Sequence, residues 1–174
     1  MNFDLASASD ILSRTPSVLK SMLSDLPAEW AQGNEGDQTW SPFDVIGHLI
    51  HGERTDWIPR IRMVLESGES RSFEPFDRFA QFEESKGKSL EELLSTFAYL
   101  RSQNIETLKT MNITQEDLAR KGKHPELGTV RLEELIATWV VHDLDHVAQI
   151  TRTMAKQFKD AVGPWEAYLS VLKR

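Results

Sequence analysis

The sequence predicts an all-α fold, a four-helix bundle with a short C-terminal helix, and three observations carry that prediction. Four segments repeat apolar residues at spacings of three and four. Two of them open on strong helix-start signals, Ser41-Pro42 and Ser89 with Glu92. No segment shows convincing period-2 alternation of a strand, so helices must cover one another, and sites arise from side chains on facing helices. At 174 residues and 40% hydrophobic content, residues 1–174 read as one domain able to bury a core without disulfides.

The first helix is expected from about Asp4 to Asp25, with Ile11, Thr15, Val18, Met22 and Leu26 as its stripe and a bend at Pro16. The second opens at Ser41-Pro42, a capping hydroxyl followed by proline at a position where the missing N–H costs nothing. Its stripe runs Phe43, Ile46, Ile50, Trp57, Ile61 and Val64, with a kink at Pro59 and an end before Gly68. Residues 69–88 are polar, dotted with aromatics and irregular. Ser89 and Glu92 form a capping box for the third helix, whose stripe is Leu90, Leu93, Leu94, Phe97, Leu100, Leu108 and Met111. The fourth and longest periodic stretch runs from about Arg131 to Lys159, Gly163-Pro164 stops it, and Trp165 to Leu172 suffice for a short closing helix.

Composition removes several functions. A net charge of -7 and a pI near 5.3 oppose attachment to nucleic acid or anionic lipid, so neither is expected as a partner. The basic run Arg120-Lys121-Gly122-Lys123-His124 lies in a Gly-containing loop rather than along a helix face. With no cysteine there is no thiolate ligand, no Cys nucleophile and no disulfide framework. Neither a signal peptide nor a membrane span is legible, and a cytoplasmic location is the expectation. Phe73, Phe76 and Phe79 fit either a cleft mouth or a homodimer interface.

Chemistry concentrates in the fourth helix. His142 and His146 lie one turn apart, where side chains are about 5–6 Å apart at Cβ, so both rings can converge on one cation. On a helical wheel they share a sector with Gln149 at the margin of an apolar arc formed by Leu132, Ile136, Trp139, Val147, Ile150 and Met154. A metal in a cleft suits that margin; two surface or core histidines are the plain alternative. A third ligand must come from elsewhere. His48 is the candidate, and the wheel does not select it cleanly. Its competitor His51 lies further from the stripe and reads as exposed, and His124 falls in a loop. Asp143 projects into the apolar arc, where it serves either as an acceptor behind a metal-bound imidazole or as a hydrogen-bond partner of a Trp N–H or backbone group. Glu53 raises the same question on the second helix, and Gln149 is a polar wall of the site.

Familiar metal motifs fit poorly. The spacing of His142 and His146 matches zinc proteases, but Asp143 stands where their longer Glu would be and no strand-bearing domain is predicted. The chain holds no Glu-x-x-His, which a di-iron bundle needs. No Gly-x-Ser-x-Gly elbow is present either.

Two segments carry a family resemblance: Trp40-Ser41-Pro42-Phe43-Asp44-Val45-Ile46-Gly47-His48-Leu49, and Thr138-Trp139-Val140-Val141-His142-Asp143-Leu144-Asp145-His146-Val147-Ala148-Gln149. His124-Pro125-Glu126-Leu127-Gly128 adds to them. In these the chain resembles the DinB-like (DinB/YfiT) superfamily of metal-binding four-helix bundles along nearly its whole length. The resemblance implies a divalent ion, zinc or nickel, held by His48, His142 and His146. It further implies a small-molecule substrate and a transferase activity, in which a low-molecular-weight thiol is activated for attack on an electrophile. A metal-dependent hydrolase and a non-catalytic bundle with a structural or vestigial metal are the alternatives. No residue of this sequence identifies a thiol site.

Overall fold

A computed structural model describes residues 3–173. Helix α1 (Leu5–Leu23) starts at Asp4, whose carboxylate accepts the Ser7 N–H at 2.7 Å. A one-turn α2 (Ala28–Gln32) leads to α3 (Pro42–Thr55), α4 (Trp57–Ser67) and short α5 (Ala80–Glu84). Then come α6 (Leu90–Thr110), α7 (Gln115–Leu118), strands β1 (Lys121–His124) and β2 (Gly128–Arg131), and α8 (Leu132–Lys156). Four bundle rods result: α1, the α3/α4 pair, α6 and α8. The expected short closing helix is present as two 3-10 segments, Gly163–Tyr168 and Ser170–Leu172. No described helix is long and apolar enough to cross a membrane.

The start signals hold. Ser41 and Ser89 both close reciprocal capping boxes, with Asp44 and Glu92 respectively. Three expectations change. The α1 stripe is shifted: Ala8, Leu12, Thr15, Leu19 and Leu23 are buried, whereas Ile11 and Val18 are about two-fifths exposed. The second rod breaks at Asp56 rather than Pro59, because proline is tolerated in the first turn of the new helix α4. The presumed loop after α7 is an antiparallel hairpin pairing Lys121 with Arg131 and His124 with Gly128. Four-residue strands are too short to leave a period-2 signal. Gly122 lets the hairpin press onto α4, since a Cβ there would lie 2.7 Å from Val64 and 3.0 Å from Phe73.

The core has two apolar layers. One gathers Leu12, Trp57, Ile61, Ile105, Leu132, Ile136 and Trp139; the other gathers Leu19, Ile46, Leu49, Leu93, Phe97 and Ile150. Between them along three rods sit Glu53, Arg101 and Asp143, each at most 3% exposed. Arg101 donates through Nη1 and Nη2 to both oxygens of Asp143 (2.5 and 2.9 Å) and through Nη2 to Glu53 Oε1 (2.8 Å). Its Nη1 also donates to the Leu12 carbonyl at 2.8 Å. That carbonyl is free because Pro16, four residues on, has no N–H to give it. Helix α1 thus continues through the proline and joins the layer by its backbone. Trp139 Nε1 (3.1 Å) and Asn104 Nδ2 (2.9 Å) complete Glu53.

Candidate metal centre

His48 comes from α3, and His142 and His146 from α8, one turn apart. Their ligand nitrogens all lie within 4.8 Å of one another. His142 Nε2 is 3.1 Å from both His48 Nε2 and His146 Nε2. Three nitrogens about 2.0–2.1 Å from a tetrahedral ion would stand roughly 3.3 Å apart, so the spacing suits a divalent cation. Proton counting points the same way. His146 Nδ1 donates to Gln149 Oε1 at 2.8 Å, which leaves a lone pair on His146 Nε2 in the neutral ring. One proton on His142 Nε2 could satisfy only one of its two neighbours, and a shared cation satisfies both.

The surroundings keep the rings neutral. His48 and His142 are each lowered to about 3, chiefly by burial and then by neighbouring histidines. His146 is also lowered by burial, against a smaller upward pull from Gln149. Trp40 stacks on His146 with ring centroids 6.3 Å apart and lies 4.8 Å from His48. Trp57 meets His142 edge-on at 5.2 Å, and Phe76 meets His48 at 5.4 Å. Among the described residues, the Nδ1 atoms of His48 and His142 are buried without a partner. The rings line a cavity of about 470 Å³, whose wall also includes Arg60, Phe73, His124 and Leu135. Neutral nitrogens converging at the wall of such a cavity can hold a cation while a small molecule approaches it.

Other candidates fall elsewhere. His51 is not exposed as expected: it is 7% exposed, and its Nδ1 meets Glu84 Oε1 at 2.9 Å. Glu84 lies on α5, a helix within the segment read as irregular. Among the described residues, the converging cluster excludes His51. Asp143 takes neither expected role, because both its oxygens serve Arg101. Consecutive helical residues diverge by about 100°, so Asp143 turns into the core while His142 faces the cavity. Glu53 does accept a Trp N–H, from Trp139. Gln149 touches the site through His146. His124 lines the cavity. Of the three aromatics, Phe73 is buried, Phe76 borders the cavity and only Phe79 is exposed. Arg101 went unrecognised, although its place on the stripe between Phe97 and Ile105 is a visible signal.

Comparison with known proteins adds a family. A family model described as the DinB superfamily matches residues 11–150. No curated protein matches the chain. One similar solved structure is YfiT from Bacillus subtilis, described as a probable metal-dependent hydrolase with an unusual four-helix bundle topology. It shares 22% identity and a TM-score of 0.75 over 87% of this chain and 86% of that one. At that identity the likeness is one of fold.

Proposed function

The chain belongs to the DinB superfamily, and from that premise we propose that His48, His142 and His146 hold one divalent metal ion for a metal-dependent reaction on a small molecule, hydrolysis being the best-supported class. The observation that carries this reading is the convergence of three Nε2 atoms at a cavity wall. A divalent ion bound there supplies Lewis-acid chemistry and lowers the pKa of water or a thiol near it. The protein's own share is positional. Gln149 fixes the proton of His146 on Nδ1, burial keeps the imidazoles uncharged, and Trp40, Trp57 and Phe76 shield the rings from bulk water. The description of YfiT as a probable metal-dependent hydrolase supports the choice of water as nucleophile.

Transfer of a low-molecular-weight thiol is the second reading. The aromatic surroundings of the imidazoles suit a soft, weakly hydrated nucleophile, and no protein cysteine competes for the ion. One experiment separates the readings. Zinc- and nickel-loaded protein is given a panel of chromogenic esters and amides with and without a small thiol, and products are identified. Hydrolysis without thiol supports the first reading, and a thioester product, with the alcohol or amine released, supports the second. A rate unchanged by His146→Ala overturns both.

A further inference from the structure

The cavity has an uneven charge layout. Arg60 lies against Asp56, with Nε 2.5 Å from Oδ1, and Glu134 is held by Arg131 at 2.9 Å. Glu126 sits in the hairpin turn beside His124 and also lines the cavity. Arg78 also lines the cavity, and among the described residues its side chain makes no ion pair or hydrogen bond. It shares the cavity wall with His48, His142 and His146. The apolar part of the wall includes Phe73, Phe76, Val130 and Leu135.

Resting on the reading above, we infer that the substrate is an apolar molecule carrying one anionic group, which Arg78 holds within the cavity that the three imidazoles line, while the apolar body lies along Phe73, Phe76, Val130 and Leu135. A planar guanidinium takes a carboxylate in two parallel hydrogen bonds, and a partly water-excluded wall strengthens them. Glu126, a carboxylate on the same wall, disfavours a second anion. His124 adds a directed donor: its Nδ1 accepts the Glu126 and Leu127 N–H groups at 3.2 Å each, so the neutral ring carries its proton on Nε2.

Trp40 and Trp57 line the cavity and report on its occupancy by fluorescence. The probes are 4-phenylbutyrate and 4-phenylbutanol, titrated into zinc-loaded and chelator-treated protein, wild type and Arg78→Met. In the chelator-treated wild type, where no zinc attracts the carboxylate, the acid should bind about tenfold tighter than the alcohol, the size of a charge-assisted hydrogen bond. Arg78→Met should erase that preference and leave alcohol binding unchanged; Arg78 is exposed, so the variant keeps its core. Equal affinities in the chelator-treated wild type, or a preference that survives Arg78→Met without zinc, overturn the inference. If zinc fails to bind while the acid preference persists, the metal reading falls and this one stands. Zinc binding without any acid preference has the reverse consequence.

Discussion

The histidine cluster and the Arg101 network are both polar and largely buried, and both draw on α3 and α8, yet only one is closed. In the network every Nη hydrogen of Arg101 has an acceptor, both oxygens of Asp143 are met by Arg101, and Glu53 has further donors in Trp139 and Asn104; among the described residues only Nε lacks a partner. In the cluster, ring nitrogens face each other at 3.1 Å and two Nδ1 atoms have no protein partner. Burial of a polar group is tolerated when its hydrogen bonds are met inside the protein. The network meets that condition from its own chain and therefore belongs to the architecture. The cluster does not, and its geometry is accounted for by something brought from outside.

The sharpest way to break the comparison is Arg101→Met. It strands Asp143 and Glu53 in the core, and removing one partner of a buried pair costs about 3–5 kcal/mol. Urea unfolding should show that loss, and adding Glu53→Gln and Asp143→Asn to the same variant should recover part of it. A loss below about 1 kcal/mol would mean that the layer is not what ties the four rods together. Arg101 itself stays charged across the accessible pH range, because Asp143 and Glu53 outweigh burial and push its pKa above the usual arginine value.

A smaller effect separates the two clusters by pH. The folded-state pKa values of His48 and His142, about 3, lie below the ordinary 6.5, so the unfolded chain binds more protons between those values. Stability of the metal-free protein is therefore complete above about pH 6.5 and declines as pH falls toward about 3. From pH 7 to pH 5 the loss is about 2 kcal/mol per ring. A double variant, His48→Phe with His142→Phe, should flatten the slope of unfolding free energy against pH. An unchanged slope would place its origin elsewhere. Zinc-dependent stabilisation should fade over the same range as protons displace the ion.

How far each cluster could be read from sequence follows from where its residues lie. His142, His146 and Gln149 belong to one unbroken helix, so their shared sector was legible from spacing alone. His48 was not, because its rod is two helices joined at Asp56 and one wheel cannot describe both. Resemblance, rather than periodicity, singled it out. Asp143 and Glu53 showed as carboxylates on apolar arcs, but their partner Arg101 lies on a third helix, 42 residues from Asp143. Pairing at that distance leaves no local mark. The hairpin was hidden by its brevity, and the burial of His51 by α5, which supplies its Glu84 partner.

The finest test lies within the histidine cluster, at the one ring nitrogen that the chain itself satisfies. Gln149 Oε1 accepts from His146 Nδ1 at 2.8 Å, which fixes the tautomer and turns Nε2 toward the other two rings. Gln149→Leu keeps the size of the side chain and removes the acceptor. Losses at such supporting positions are typically 10–100-fold in metal affinity, and about tenfold is expected here because Gln149 is partly exposed. Stability of the metal-free variant should stay within about 0.5 kcal/mol of the wild type, as for other substitutions near the surface. Competitive zinc titration against a chelator dye reads the first quantity, and urea unfolding the second. A stability loss with unchanged zinc affinity would make Gln149 a structural contact of α8. The opposite result, weaker zinc on an equally stable fold, sets the cluster apart from the Arg101 layer, where each substitution must show first in stability.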